Sequence, residues 1–183
     1  MLKMNNITKT FNSGTVDERV ALDHLSLTLR DGDFVTVIGG NGAGKSTMQN
    51  AICGTWQPDE GSIELDGVNV SSLPEYKRAR YLGRVYQDPM MGTSAGMEIE
   101  ENLALAERRG RHHTLRPGIR RGEREDYRRR LRELGLGLED RLTTKVGTLS
   151  GGQRKRVALA AALIHPADVL VLDEPTNHLD AEM

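Results

Sequence analysis

The hydrophobic pattern near the start of the chain predicts short β-strands separated by turns. Apolar residues alternate with polar ones over 21–29, as in a strand with one buried face. Turn-forming residues occupy 12–14 and 31–33, on either side of that stretch. These patterns predict antiparallel hairpins in the first part of the chain.

The next segments predict a strand, a helix and a second hairpin. Residues 34–38 form a continuous β-rich apolar run ending at glycines, which is typical of a strand buried on both faces of a sheet. A helix is expected over 45–53, ended by Gly54. Residues 61–65 and the turn residues that follow them predict another strand and turn. The first third therefore has an α/β pattern.

Residues 75–145 have a different character, with few β-branched residues and apolar residues at helical spacing. The stretch 108–132 carries eleven arginines. An apolar helix over 153–164 and a strand over 169–172 then restore the α/β pattern. We therefore predict a helical insert in an α/β core.

Composition excludes several classes of protein. With 183 residues, 37% hydrophobic and 28% charged, the chain fits one ordinary globular domain. Its net charge of −1 gives no overall attraction to nucleic acid. The longest apolar stretch, 157–164, is far shorter than the roughly 18 residues that span a bilayer. No secretory signal pattern begins the chain, so a cytoplasmic location is expected. The single cysteine, Cys53, is predicted to be a small buried residue.

A glycine-rich motif at 39–46 matches G-x-x-x-x-G-K-[ST] between the predicted strand and helix. In such a phosphate-binding loop (P-loop, Walker A), backbone N–H groups and the helix N-terminus bind phosphate oxygens. The lysine neutralises the β- and γ-phosphates of ATP, and the serine hydroxyl binds Mg²⁺. The predicted ATP-binding residues are Gly39, Gly40, Asn41, Gly42, Ala43, Gly44, Lys45, Ser46 and Thr47. The alternative is a glycine-rich turn without a ligand.

Two acids, Asp173 and Glu174, follow the predicted strand over 169–172. At the carboxyl end of a parallel strand they would face the P-loop. Asp173 is suited to hold Mg²⁺ and Glu174 to orient or deprotonate an attacking water. The alternative is that the two acids cap a following helix.

At Leu149-Ser150-Gly151-Gly152-Gln153 the sequence contains a further motif, LSGGQ. With the P-loop, Gln87 in VYQDP, the acidic strand (Walker B) and Asp180 in NHLD, the chain resembles the ATP-binding domain of the ATP-binding cassette (ABC) superfamily. The resemblance covers nearly all of 1–183. It implies an α/β fold: a P-loop NTPase core with an N-terminal antiparallel β subdomain and a helical subdomain at about 88–155.

The resemblance also implies site roles and partners. Two such domains would face each other head to tail, so that Ser150, Gly151, Gly152 and Gln153 close over ATP on the partner's P-loop. Ser150 and Gln153 also fit a helix capping box. Gln87 would contact Mg²⁺ and the attacking water, and Asp180 would connect the two ATP sites.

Phe11, 28 residues before Gly39, would stack on adenine by the same resemblance. A single aromatic residue on a short strand also fits the hydrophobic core. The family's additional strand, ending in a histidine at the γ-phosphate, would follow the acidic pair. None of the five histidines stands at that position. We therefore expect a chain truncated after Asp180 and its loop, in which ATP binding is more secure than turnover. The adjacent His112 and His113 do not have the spacing of a metal site.

The leading hypothesis is the ATPase subunit of a transporter, peripheral on the cytoplasmic face of the inner or plasma membrane and bound to transmembrane permease subunits. It involves no direct contact with nucleic acid. The segment 151–183 is closer to the F class of ABC proteins, which act on ribosomes. The alternatives are therefore a ribosome-associated ATPase, whose arginines would contact phosphates, or a nucleotide-binding fragment without turnover. The arginine-rich stretch also fits a solvated helix face.

Overall fold

The computed structural model describes residues 1–110, 118–120 and 122–175. The chain divides into two compact units, Met1–Leu82 and Gly83–Met183. Asp180 lies outside the described residues, and so do His112 and His113.

The first unit contains a four-stranded antiparallel sheet. Its strands are β1 (Leu2–Phe11), β2 (Arg19–Leu29), β3 (Glu60–Leu65) and β4 (Val68–Asn69), in the order β2-β1-β3-β4. The central strand β1 pairs antiparallel with both β2 and β3. This sheet confirms the predicted N-terminal antiparallel β subdomain.

The P-loop helix of this unit confirms its predicted bounds. Helix α1 spans Lys45–Cys53 and ends at Gly54, whose φ of 87° lies in the left-handed region that glycine adopts without strain. Ala51 and Ile52 are buried in the core of the unit, and so is Cys53, as predicted. The short helix α2 (Glu75–Arg78) follows β4.

A buried arginine completes the end of α1. The fully buried Arg78 donates hydrogen bonds from Nη1 to the carbonyl oxygens of Ala51 at 2.6 Å and Ile52 at 3.0 Å. These carbonyls belong to the last turn of α1, where helix carbonyls have no partner within the helix and the helix dipole favours a cation. Burial lowers the pKa of the Arg78 guanidinium below its ordinary value.

The prediction of a strand over 34–38 is wrong. In the described part of the chain these residues belong to no strand, and Phe34 and Ile38 are 89% and 90% exposed. A strand needs a neighbour that accepts its backbone N–H groups. In the sheet of this unit β2 lies at the edge, and 34–38 does not pair with it. The apolar run therefore has the propensity for a strand but no partner strand.

The second unit combines three helices with a strand pair. Its helices are α3 (Ile99–Glu107), α4 (Glu123–Glu133) and α5 (Gly151–Leu163), and strand β5 (Leu82–Val85) pairs with β6 (Val169–Leu172). The helices confirm the predicted helical insert, but β5 lies inside 75–145, where only helices were expected. The sequence of β5, LGRV, includes a glycine and an arginine, so it lacks the continuous apolar run that identifies β6.

One apolar core joins the three helices. Leu103 on α3, Leu131 on α4 and Val157 on α5 all belong to it and are no more than 1% exposed. Leu138 and Val146, from the connection between α4 and α5, fill the same core. None of the described helices is long and apolar enough to cross a membrane.

Candidate functional site

The P-loop joins α1 at Gly44, where any other residue would be strained. Gly44, the N-cap of α1, has φ 86°, in the left-handed region. A Cβ atom at this position would lie 2.5 Å from the carbonyl oxygen of Ala21 on β2. The close approach of the loop to β2 therefore requires glycine at this position, as the motif predicts.

Lys45 folds back over the loop that precedes it. Its Nζ donates hydrogen bonds to the carbonyl oxygens of Gly39 at 2.6 Å and Gly40 at 2.9 Å. The ammonium group therefore lies against the backbone of the loop that precedes α1, and the N-terminus of α1 has no side-chain cap. A cation beside uncapped helical N–H groups fits the phosphate groups of a nucleotide.

Arg19 is a residue near the P-loop that the sequence did not single out. Its guanidinium donates a hydrogen bond to the carbonyl oxygen of Gly42. Arg19 is also the partner of Phe11 in the β1–β2 register. This pairing links the strand that carries Phe11 to the P-loop within the first unit. In sequence Arg19 is an ordinary polar residue at a strand start, so no motif identifies it.

Phe11 is partly buried and packs against an aromatic partner. Its ring meets that of Trp56 edge to face, with centroids 5.2 Å apart. Lys9 Nζ lies 5.7 Å from the centroid of the same ring. The ring is therefore held in place by neighbours in the first unit, and its stacking on adenine stays a prediction.

In the second unit the structure brings together two predicted catalytic residues. Nε2 of Gln87 donates a hydrogen bond to Oε2 of Glu174 at 2.9 Å. Gln87 lies two residues after β5, and Glu174 lies two residues after β6. The backbone N–H of Asp173 donates to the carbonyl oxygen of Val85 at 3.0 Å, which extends the contact between the strand ends. Adjacent strands thus hold the amide and the carboxylate together.

The backbone of Glu174 has φ 44°, in the left-handed region that is uncommon for residues other than glycine. Such conformations cost on the order of 1–3 kcal/mol and often occur at functional sites. The left-handed conformation therefore falls at the residue that the sequence predicts as catalytic base.

The donor set predicted for Mg²⁺ is chemically suitable. A hydroxyl, an amide oxygen and a carboxylate, from Ser46, Gln87 and Asp173, are hard oxygen ligands of the kind that Mg²⁺ prefers. Ser46 lies in the first unit, and Gln87 and Asp173 lie in the second. The described residues contain no group of three or more His, Cys, Asp and Glu side chains that could hold a metal ion. Phosphate oxygens of a nucleotide would have to supply further ligands, as is usual for Mg²⁺.

The LSGGQ motif forms the N-terminus of α5. Ser150 is the N-cap, and its Oγ accepts a hydrogen bond from the backbone N–H of Gln153 at 3.3 Å. The side chain of Gln153 accepts in return from the N–H of Ser150 at 3.2 Å. The predicted capping box is therefore confirmed, and the glycines Gly151 and Gly152 form the first turn of the helix.

Lys155, on the same helix, is a buried charge that no sequence motif identifies. Its side chain is 2% exposed, and Nζ donates to the carbonyl oxygens of Tyr86 at 2.8 Å and Gln87 at 3.2 Å. Burial lowers the pKa of Lys155, while the charges of Asp173 and Glu174 act in the opposite direction. A basic residue in a basic run is normally exposed, so the sequence gives no signal for this contact.

The described arginines of α4 are largely paired with acids. Arg124 pairs with Glu100 of α3, Arg128 with Glu125, and Arg129 with Asp126. Paired guanidinium groups do not form the free basic surface that nucleic acid or anionic lipid requires. The structure therefore favours the interpretation of α4 as a solvated helix face.

Comparison with known proteins places these features in one family. The family model described as "ABC transporter" matches residues 22–177. This range contains the P-loop, Gln87, the LSGGQ motif and the acidic pair.

Curated relatives match over nearly the whole chain. The tyrosine transport ATP-binding protein of Clostridioides difficile (strain R20291) is 38% identical over 98% of this chain and 71% of its own length. The lipoprotein-releasing system ATP-binding protein LolD of Chromohalobacter salexigens is 35% identical over 98% of this chain and 73% of its own. The macrolide export ATP-binding/permease protein MacB of Hyphomonas neptunium is 35% identical, and the match spans 27% of that protein.

Solved structures agree with the fold. A dimeric ATP-binding cassette in a post-hydrolysis state, bound to ADP and Pi, superimposes with a TM-score of 0.82 and 30% identity. The match covers 99% of this chain and 77% of that one. A nucleotide-free cassette from an ABC transporter gives a TM-score of 0.77 at 28% identity, over 98% of this chain and 71% of that one.

Proposed function

Because the chain belongs to the ABC transporter family, as an ATP-binding subunit with ATPase chemistry, we propose that it binds Mg·ATP through the residues predicted above and couples hydrolysis to transport across a membrane. The observation that carries this proposal is the P-loop, in which Lys45 lies over the carbonyl oxygens of Gly39 and Gly40 at the uncapped start of α1. We propose that both units belong to one ATP-binding domain.

In the first unit the loop over 39–47 binds the phosphates. When ATP enters, the ammonium of Lys45 exchanges its two carbonyl acceptors for the β- and γ-phosphate oxygens, which carry full negative charge. The N–H groups at the start of α1 donate hydrogen bonds to the phosphate oxygens and so stabilise the remaining negative charge. Phe11 stacks on the adenine ring, since its strand partner Arg19 already reaches Gly42 of the loop.

In the second unit Glu174 orients and deprotonates the attacking water. The carboxylate is positioned by the amide of Gln87, at 2.9 Å, and by the left-handed turn at Glu174 itself. Bound Mg²⁺ would neutralise charge on the phosphates, held by Ser46, Gln87 and Asp173. The amide of Gln87 donates to Glu174 through nitrogen, which leaves its oxygen available as a ligand.

The assembly proposed is a head-to-tail dimer of two such domains. The N-terminus of α5 is capped by its own Ser150 and carries the small residues Gly151 and Gly152, so a phosphate can approach its N–H groups closely. Asp180 is proposed to connect the two ATP sites. One solved relative, a cassette bound to ADP and Pi, is dimeric, which supports the proposal of a dimer.

Permease subunits are the proposed membrane partners, and the proposed location is the cytoplasmic face of the membrane. Relatives that match nearly the whole chain are named as transport or export proteins, and one is an ATP-binding/permease protein. The F-class resemblance of 151–183 stays a prediction from sequence. The pairing of the described α4 arginines gives a ribosome-bound role no specific support.

Steady-state ATPase activity, measured beside Mg·ATP binding, tests the proposed function. Glu174→Gln is expected to keep ATP binding, since its amide oxygen can still accept from Gln87, and to lower kcat by about 10²–10⁴-fold because the general base is lost. The exposed Glu133 provides the control Glu133→Gln, expected to match wild type. ATP turnover that does not depend on Glu174 contradicts the assignment of Glu174 as general base. ATP binding without turnover in the wild-type chain supports the alternative, a nucleotide-binding fragment that does not hydrolyse ATP.

A further inference from the structure

Three consecutive basic residues near the start of α5 bind three different parts of the second unit. Arg154 Nε donates to the carbonyl oxygen of Leu149 at 2.9 Å, and Arg156 Nη1 donates to that of Leu136 at 3.3 Å. Lys155, between them, donates to Tyr86 and Gln87. Successive helical residues point about 100° apart, so each side chain meets a different neighbour.

Lys155 differs from the two arginines in burial and in what it holds. Its side chain is 2% exposed, whereas charged residues are rarely so buried unless they are paired. Both of its acceptors are backbone carbonyls of the segment that follows β5. Two charge-assisted hydrogen bonds to adjacent carbonyls fix the direction of that peptide segment more firmly than packing alone.

The segment held by Lys155 carries the side chain that contacts the predicted base. The carbonyl of Gln87 accepts from Lys155, and the side-chain amide of the same residue donates to Glu174 at 2.9 Å. The charges of Asp173 and Glu174 also attract the Lys155 ammonium. A continuous path therefore runs from the LSGGQ helix through Lys155 and Gln87 to Glu174.

From this path we infer that Lys155 is a positioning residue for ATP hydrolysis: it orients Gln87, and through Gln87 the carboxylate of Glu174, from the helix that begins with LSGGQ. The catalytic consequence rests on the proposed roles of Gln87 and Glu174. The positioning itself is a property of the second unit and can be measured without nucleotide.

The side-chain amide of Gln87, followed by ¹H–¹⁵N NMR of the full chain, tests the positioning. In wild type the side-chain amide nitrogen of Gln87 donates to a carboxylate, which moves the shift of the bonded proton away from its value in an unbonded amide. Lys155→Met keeps the apolar stem but cannot donate, and we expect the two shifts to converge on those of an unbonded amide. Arg156→Met is the matched control on the next residue and is expected to keep the wild-type signal.

A wild-type Gln87 signal in folded Lys155→Met overturns the inference. If that variant does not fold, Lys155→Gln takes its place, because its amide is polar but one atom shorter and cannot reach both carbonyls. The same convergence is expected, and an unchanged signal in folded Lys155→Gln contradicts the inference equally.

Kinetics separate positioning from a general structural role. In Lys155→Met we expect ATP affinity within about twofold of wild type and kcat about 10- to 100-fold lower, since misplacement of a catalytic group costs up to about 10²-fold. In a Gln87→Ala background the same substitution is expected to change kcat no further. A further loss of kcat on adding Lys155→Met to Gln87→Ala would contradict the inference that Lys155 acts through Gln87. Absence of turnover in wild type counts against hydrolysis by the chain, while the NMR result still decides the positioning.

Discussion

The side-chain amide of Gln87 donates a hydrogen bond to Oε2 of Glu174 at 2.9 Å across 87 residues of sequence. The two residues follow β5 and β6, which pair with each other, so the contact is a direct consequence of strand pairing. It connects the predicted base to the segment that Lys155 of the LSGGQ helix holds. The geometry therefore brings the predicted base together with Gln87 and Lys155 within the second unit.

Lys45→Ala is expected to weaken ATP binding by at least about 100-fold. The substitution removes the cation for two phosphates, and each hydrogen bond to a charged group contributes about 1.5–3 kcal/mol. Titration with ATP, followed by calorimetry, measures the change. Lys77→Ala, at an exposed position of helix α2 in the same unit, is the matched control and should bind ATP like wild type. Equal affinity of Lys45→Ala and wild type would falsify the phosphate site.

Gly44→Ala is expected to destabilise the chain by about 1–3 kcal/mol, because alanine is strained at φ 86° and its Cβ would lie 2.5 Å from the Ala21 carbonyl oxygen. Gly40→Ala is the control in the same loop, since a Cβ there meets nothing within 4 Å. It should change the free energy of unfolding by less than about 0.5 kcal/mol. Urea denaturation without nucleotide measures both, and equal costs at the two positions would refute the stated close approach.

The ion pair between α3 and α4 is expected to respond asymmetrically to substitution. Glu100 has 2% side-chain exposure and accepts from Arg124 Nε at 2.7 Å, whereas Arg124 is 58% exposed. Arg124→Ala leaves a buried carboxylate without its partner, while Glu100→Gln leaves an arginine that water can solvate. Arg124→Ala should therefore lower the urea midpoint further than Glu100→Gln, and the opposite order would contradict this account.

The strand that carries Phe11 is expected to lose stability in acid through Asp59. Hydrogen bonds from Lys9 Nζ at 2.6 Å and from the Thr10 N–H at 2.7 Å lower the pKa of the Asp59 carboxyl. A lowered pKa means that Asp59 stabilises the fold above about pH 4 and that this contribution is lost as the pH falls through its folded value.

The measurement is the free energy of unfolding of wild type and Asp59→Asn between pH 7 and pH 3. The difference between the two proteins should shrink as the pH falls, because protonation removes in wild type the charge that the substitution removes at every pH. A difference that stays constant over this range would show that the carboxylate charge of Asp59 does not stabilise the strand.

Local signals in the sequence were enough for α1 and the capping box of α5. The motif over 39–46 identifies the loop, Gly54 marks the helix end, and Ser150 with Gln153 completes its own cap. Each of these features depends on residues within about one helical turn of one another, so sequence alone determines them. The family resemblance follows from the same motifs.

Other features were decided only by tertiary structure. Residues 34–38 have the apolar β-branched pattern of a buried strand, yet no described strand pairs with them, because pairing depends on partners distant in sequence. The short strand β5 has no clear strand pattern of its own and forms by pairing with β6, which lies more than eighty residues away along the chain. Strand propensity is local, but the hydrogen bonds that make a strand are not.

Charged residues show most clearly the difference between what local sequence determines and what tertiary structure decides. In the sequence Arg78, Lys155 and Arg124 are three cations among many, and their residue type predicts exposure. In the structure Arg78 caps α1 from inside the core, Lys155 holds the segment of Gln87, and Arg124 pairs with a buried glutamate. The sequence determined which chemical groups the protein carries and where its phosphate loop lies. Tertiary structure decided which charges are buried, because a buried charge is tolerated only where distant segments supply its partners.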